Sequence, residues 1–296
     1  MALPQQTIAG THIGSLLPSI VAIHEGREFV GQGAKDLRAL MADPKYRLSR
    51  NVNLFYECKN EIGTARHYPS APSGYRSPTE IAARILAYIR REGIREGGGD
   101  NVVVTVPASF QAAQRAETVK ACAAAGLKVS GGRLLDEPVA AFIDYAYRHD
   151  PALLDSVADR SRLLLVFDFG GGTCDIALFG LARAAPDQPV QVSSRSVSRF
   201  HRLGGGDIDL AILHKILLPQ LCRENGLSEF ELTFQDKTRV LTPALIAVAE
   251  ALKTQICNEI WRLQQFGKLA IRRGKLRQQS GLRTRNLGGP GLDGPI

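Results

Sequence analysis

The chain has 296 residues, enough for one large domain or two ordinary ones, and enough to bury a core without metal or disulfide support. Hydrophobic residues make up 44% and charged residues 22%, which excludes a mostly disordered or fibrous protein. The net charge of +8 is concentrated. Eight Lys or Arg residues lie between Arg262 and Arg285 with no Asp or Glu among them, and the other 29 basic residues balance 29 acidic ones. The body therefore gives no reason to expect a nucleic-acid surface.

The five cysteines (Cys58, Cys122, Cys174, Cys222 and Cys257) are odd in number and widely spaced, with no CxxC. That pattern argues against a disulfide scaffold or a zinc ribbon and for reduced thiols in a cytoplasmic protein. The first residues, Met-Ala-Leu-Pro-Gln-Gln, have neither the basic nor the apolar region of a signal peptide. No apolar run approaches the roughly 20 residues of a membrane span.

In chain order, Ser19–Gly31 reads as two short strands across a His24-Glu25-Gly26-Arg27 turn. Residues 64–77, rich in Pro, Ser, Gly and Tyr, read as loop. Ser77, Pro78 and Glu80 form a helix start, followed by Ile81, Ile85, Leu86 and Ile89 on one face. The β-branched run Asn101–Val106 predicts a strand buried on both faces. A helix follows from about Phe110 to Ala125, ended by Gly126, then a short strand over Leu127–Val129. Asp136 and Pro138 open another helix, and Ser156–Arg162 reads as polar connection.

Leu163–Asp168 reads as a second strand buried on both faces. Gly170-Gly171-Gly172-Thr173 turns the chain into a further strand from Asp175 to Phe179, so the glycines sit inside a β-hairpin. Val190–Arg199 alternates like a strand. Gly204-Gly205-Gly206 precedes a helix from Asp207 to about Arg223, and Thr242 and Pro243 open a last helix to about Phe266. Residues 275–296 read as a flexible basic tail. Strands alternating with helices predict an α/β protein.

The segment with most chemistry is Leu163-Leu-Leu-Val-Phe-Asp168-Phe-Gly170-Gly171-Gly172-Thr173-Cys174-Asp175. A strand delivers a carboxylate at its end, and three glycines then let a ligand approach backbone without Cβ obstruction. Successive N–H groups in such a turn cradle phosphate oxygens, a neighbouring carboxylate holds Mg²⁺ directly or through water, and Thr173 adds a hydroxyl. A lone Gly-Gly-Gly-Thr is also an ordinary turn. The aspartates on both sides and the strand before it favour phosphate binding. There is no GxxxxGK[ST], and the glycines lead into a strand rather than opening a helix, which excludes a Walker loop and a Rossmann fingerprint.

Five blocks, in order and at similar spacing, resemble the ATPase domain of the seventy-kilodalton heat-shock chaperones. They are Val104-Thr-Val-Pro107-Ala-Ser-Phe110-Gln-Ala-Ala-Gln114-Arg115; Ala125-Gly126-Leu127; Asp136-Glu137-Pro138-Val-Ala140-Ala141; Val166-Phe-Asp168-Phe-Gly-Gly-Gly-Thr173-Cys-Asp175; and Leu203-Gly-Gly-Gly-Asp207-Ile-Asp209. Pro18-Ser-Ile-Val-Ala and Val30-Gly-Gln-Gly-Ala-Lys35 look like an earlier part of the same domain. The resemblance runs from about residue 13 to 257. It implies an actin-like (ribonuclease H-like) α/β fold of two lobes, with residues 1–162 lobe I-like and 163–274 lobe II-like, ahead of the tail at 275–296.

It further implies an ATPase that uses ATP, ADP and Mg²⁺ and assists protein folding. Unfolded client peptides, a J-domain co-chaperone and a nucleotide exchange factor are the implied partners, in the cytoplasm, with neither membrane nor nucleic acid. By the resemblance, Asp168 organises Mg²⁺, Gly170, Gly171, Gly172 and Thr173 form a phosphate loop, and Glu137 lies near the attacking water. Pro107 and Arg115 match a coupling switch, and Gly204, Gly205 and Gly206 match a loop near ribose and phosphates. Glu250 and Lys253 match the adenosine-binding helix, where Cys257 replaces a serine. Lys59, in Lys59-Asn-Glu-Ile62-Gly63, fits the lysine that polarises the γ-phosphate.

The sequence departs from the family in two places. It has no Asp-Leu-Gly-Thr-Thr phosphate loop, for which Ala9-Gly10-Thr11-His12 is no substitute. Gly288-Gly289-Pro290 also lacks the Thr-Arg of the family's adenine-stacking loop. These departures predict a partial ATPase domain, a truncated or frame-disrupted reading that mapping of the coding DNA would test. They leave open a degenerate nucleotide-binding or interaction module without turnover. Missing strands predict exposed sheet edges and poor solubility.

Overall fold

A Glu25-Gly26 pair with both residues at positive φ (50° and 72°) closes the first tight hairpin read from the sequence, as two-residue loops between twisted strands require. The computed structural model describes residues 2–93, 102–129, 134–150, 152–155, 157, 161–185, 188–198 and 203–267. The tail at 275–296, Asn101, Arg199 and most of the 156–162 connection lie outside the described residues.

In chain order the elements are strands β1 (Leu3–Thr7), β2 (Gly10–Gly14), β3 (Ile20–His24) and β4 (Arg27–Val30), helix α1 (Gln32–Ala39), strand β5 (Leu54–Tyr56) and helix α2 (Pro78–Gly93). Strand β6 (Val104–Val106), helix α3 (Ala112–Ala124), strand β7 (Leu134–Asp136), helix α4 (Glu137–Arg148) and the short α5 (Ala152–Asp155) follow. Strands β8 (Arg162–Phe169), β9 (Cys174–Ala182) and β10 (Gln191–Val197) precede helices α6 (Gly205–Ile212), α7 (Leu218–Glu224) and α8 (Thr242–Gln265). The result is a mixed α/β protein.

The chain divides into two compact units, each built from non-contiguous segments. One comprises Met1–Pro4, Ile13–Ser19 and Phe55–Gly204. The other comprises Gln5–His12, Ile20–Leu54 and Gly205–Ile296.

In the first unit, β6 and β7 pair in parallel, with Val106 opposite Asp136, so the ends of both strands lie side by side. Ile62, Val106 and Phe110 pack beneath them. Helix α3 stops where the sequence places its stop. Gly126 takes φ 75°, its N–H reaches Ala123 O and the Leu127 N–H reaches Cys122 O at 2.8 Å, a Schellman closure. Helix α2 starts at Pro78, with Ser77 Oγ accepting the Glu80 N–H at 3.2 Å. Glu80 returns its carboxylate to the Arg76 N–H rather than to Ser77, one residue outside the expected box. Ile81 is fully buried on this helix, while Ile85, Leu86 and Ile89 are half-buried.

The second sheet of this unit is the antiparallel meander β10-β9-β8. Helix α4 covers one face of it through Phe142 and Ala146 against Leu164, Val166 and Leu181. The other face of β8 is open among the described residues, and its burial alternates along the strand.

The second unit packs its helices around Leu213, Leu217, Leu218, Leu221, Leu241, Leu245 and Ala249. A π turn over Leu213–Leu217 joins α6 to α7, and another over Asp236–Leu241 leads into α8.

Four local expectations change. Strand β6 has only three residues and Val103 is exposed, so the run over 101–106 is not a strand buried on both faces. Leu127–Val129 forms no strand: Leu127 and Val129 are buried and Lys128 is exposed, and the two apolar side chains pack with Cys122 and Ala125 of the α3 end and with Val104 and Leu134. Strand β8 is covered on one face only, because helices pack on one side of its sheet. Finally, Gly205 and Gly206 lie inside the first turn of α6 rather than ahead of it; α8 opens at Thr242 and Pro243 as read, directly after the preceding π turn. The hairpin β1–β2 was not read from the sequence, since Leu3–Gly14 lacks the β-branched alternation that marks strands.

Candidate functional site

The turn between β8 and β9 is the Gly170-Gly171-Gly172-Thr173 segment. Phe169 pairs with Cys174 and Asp168 with Asp175, and the Gly170 N–H closes the turn on Thr173 O at 2.9 Å. The antiparallel register thus sets two carboxylates opposite each other at the root of the loop. Their environments differ. Asp175 is buried and accepts a hydrogen bond from Ser109 Oγ at 2.7 Å, which ties the loop after β6 to β9. Asp168 is half-buried at the end of β8. Cys174 is buried beside the turn.

Two further segments of the same unit meet this turn. A Cβ at Gly204 would lie 2.5 Å from the Gly172 nitrogen and 2.7 Å from the Gly171 carbonyl carbon, so Gly204 is seated directly against the glycine turn. A Cβ at Gly172 would lie 3.3 Å from the Asn60 amide nitrogen. Gly171 is open, with nothing within 4 Å of the place a Cβ would take. The turn is therefore fixed on one side and approachable on the other.

Asn60 follows Lys59, and Lys59 Nζ donates to Glu137 Oε1 at 2.8 Å. The lysine is about half exposed and the carboxylate one-fifth exposed. Glu137 is the first residue of α4, directly after β7. On its other side Asp136 accepts from Arg115 Nη2 at 2.7 Å. Arg115 also donates to Phe110 O at 2.8 Å and to Ala108 O at 3.4 Å, clasping the loop that begins at buried Pro107. Lys59, Pro107, Arg115, Glu137, Asp168, Gly170–Thr173 and Gly204 thus belong to one unit and are linked by a chain of contacts.

Gly205, Gly206, Glu250 and Lys253 fall in the other unit. Lys253 Nζ donates to Gly205 O and to the Asp209 carboxylate, each at 2.8 Å, which holds the glycine-rich start of α6 against α8. Glu250 accepts from Lys35 Nζ at 2.6 Å and from Arg38 Nη2 at 2.8 Å. Burial alone pushes its carboxyl up. The Lys35 hydrogen bond and the charges of Lys35, Arg38 and Lys253 outweigh that and hold it below the usual glutamate range. Cys257 on the same helix is exposed.

Sequence reasoning assigned no role to Asn60, Ser109, Arg38 or Asp209. Asn60 and Asp209 lie beside or inside segments already singled out. The pairing of Lys35 and Arg38 with Glu250 spans more than 200 residues, and nothing in the local pattern signals it.

The family model described as Hsp70 protein matches residues 73–258. The chain belongs to the Hsp70 family. Among Hsp70 relatives, the chaperone protein HscA of Yersinia enterocolitica is 36% identical over 201 residues, covering 60% of this chain and 29% of its own length. An HscA homologue of Burkholderia cenocepacia is 32% identical over 252 residues, covering 80% and 38%. The chaperone protein DnaK of Ureaplasma parvum is 33% identical over 203 residues, covering 68% and 29%. The alignments thus span between about a quarter and two-fifths of these Hsp70 relatives. No described helix is long and apolar enough to cross a membrane.

Proposed function

We propose that this Hsp70-family chain is an ATP-binding module with the two-lobed actin-like ATPase fold, serving a cytoplasmic chaperone that acts on unfolded peptides with a J-domain co-chaperone and a nucleotide exchange factor. The observation that carries the reading is the seating of Gly204 and Asn60 against a glycine turn whose Gly171 side stays open, with Asp168 at its root.

The residues fit a magnesium nucleotide. The turn offers backbone N–H donors to phosphate oxygens, Thr173 a hydroxyl, and Asp168 a half-buried carboxylate for the cation. When bound, Mg²⁺ supplies charge neutralisation at the phosphates. Positioning and electrostatics then fall to the chain. Lys59 carries the positive charge for the terminal phosphate, and Glu137 orients the water and accepts its proton at Oε1. In the paired state, the Lys59–Glu137 contact at 2.8 Å neutralises both groups. That observation favours a second reading, binding without turnover, unless ligand separates the pair. Arg115, fixed to Asp136 beside Glu137, and Pro107 at the start of the clasped loop are the coupling elements.

Calorimetric titration with Mg-ATP tests the reading. The wild-type chain is expected to bind, and Asp168→Asn to weaken binding at least about tenfold, the loss of one charge-assisted contact. A folded wild type that binds no Mg-ATP overturns it. Phosphate release during the same titration separates turnover from binding alone.

A further inference from the structure

We infer that Ser109 is a positioning residue for the cation of the nucleotide site: through Asp175 it fixes the carboxylate that stands opposite Asp168. The inference rests on the nucleotide reading above. The register that pairs Asp168 with Asp175 puts both side chains on one face of the β8–β9 hairpin. Directly opposite residues of an antiparallel pair share a face, with Cβ atoms about 4.5–5.5 Å apart. It is the face on which Leu164 and Val166 pack under α4. The two carboxylates are held differently. Asp168 is half-buried, while Asp175 is only 1% exposed. A carboxylate buried so deeply needs a donor, and Ser109 Oγ donates to its Oδ1 at 2.7 Å.

Ser109 is itself held in place. It is the third residue of the turn Pro107-Ala108-Ser109-Phe110, which the Phe110 N–H closes on Pro107 O at 3.0 Å. Arg115 donates to the carbonyls on either side of it, Ala108 O and Phe110 O, and is anchored on Asp136 beside Glu137. The hydroxyl therefore comes from a loop clasped on both flanks of Ser109. Like charges directly opposite repel, and a divalent cation beside Asp168 relieves that repulsion. The gain is largest when neither carboxylate has to be ordered as the cation binds. Ser109 has already ordered one of them. Without the hydroxyl, Asp175 turns to seek another donor, and cation binding then carries the cost of turning it back.

Calorimetric titration of the full chain with ATP at increasing free Mg²⁺ tests it, with folding of each variant checked by its urea midpoint. Ser109→Ala should raise the Mg²⁺ concentration for half-maximal ATP binding about tenfold, the usual loss when a cation-site carboxylate loses its hydrogen-bond partner. Saturating Mg²⁺ should restore the wild-type ATP affinity, which a generally loosened fold would not allow. Ser109→Thr keeps the hydroxyl and should stay within about twofold of wild type. Ser109→Cys, a weaker donor, should fall between the two, and it carries the test if Ser109→Ala does not fold. In an Asp168→Asn background, Ser109→Ala should add no further shift, because the two residues act on one cation. An unmoved half-point, a loss that saturating Mg²⁺ does not reverse, or full additivity with Asp168→Asn overturns the inference and leaves the nucleotide reading standing. A folded wild type that binds no ATP at any Mg²⁺ concentration overturns both.

Discussion

Gly171 and Gly204 are two glycines of one site with opposite surroundings, and they make opposite predictions. A methyl group at Gly204 would meet backbone atoms at 2.5 and 2.7 Å, which cannot swing away as a side chain does. Gly204→Ala should cost about 1–3 kcal/mol, the usual range for overpacking, read as a lower denaturation midpoint. A methyl at Gly171 meets nothing within 4 Å. Gly171→Ala should leave the midpoint within about 0.5 kcal/mol of wild type, because its methyl meets open space, and under the proposed function it should weaken Mg-ATP binding. Glu250 gives a pH prediction. Its carboxyl is held below the usual range in the folded chain, so its contribution is present above about pH 4.3 and is lost as pH falls through the lowered value. Urea midpoints measured from pH 7 downward should fall in acid for the wild type. They should start lower and fall less for Glu250→Gln. Tyr68, buried and donating to Glu61 Oε2 at 2.7 Å, has its phenol pushed far above its ordinary value by burial first and then by hydrogen bonds to Cys58 and Glu61. Tyr68→Phe should cost about 1–2 kcal/mol in the same urea assay.

At the scale of elements, the sequence was most legible where a residue's own backbone chemistry decides the structure. Ser77-Pro78 starts α2, Gly126 stops α3, Glu25-Gly26 turns β3 into β4, and Gly170–Thr173 turns β8 into β9. Each is a local steric or hydrogen-bonding preference that operates whatever the rest of the chain does. Ser77→Ala should therefore cost about 1 kcal/mol through the lost cap, measurable as a lower denaturation midpoint. Strand burial was less legible. Apolar runs over 101–106 and 163–168 look alike in sequence, yet the first keeps three strand residues and the second alternates between covered and open faces. Hydrophobicity reports that a face needs cover, and only packing decides whether that cover is present. The β1–β2 hairpin and the π turns before α7 and α8 are not legible in the sequence because their residues carry no period that distinguishes them.

For the whole molecule, the expected consequence of nucleotide binding is stabilisation. Ligand at about 100 times its Kd should add about 2.7 kcal/mol to the unit that holds it, seen as an upward, concentration-dependent shift of thermal unfolding that Asp168→Asn reduces. Two compact units allow two transitions, and the shift should fall first on the one containing the glycine turn. By itself the amino-acid sequence determined the family, through ordered motifs that the family model matches over residues 73–258, and it determined the elements that glycine, proline and capping residues impose locally. It also pointed to Asp168 and the glycine turn as a candidate site, because a carboxylate at a strand end followed directly by three glycines is a local pattern, whereas Glu137 entered through the family resemblance alone. Tertiary structure decided what meets what. It decided that Lys59 reaches Glu137 across 78 positions, that Gly204 seats on Gly172, that Glu250 is claimed by Lys35 and Arg38, and that helix α4 covers one face of β8. Those outcomes depend on contacts between residues far apart in the chain, which no local preference encodes.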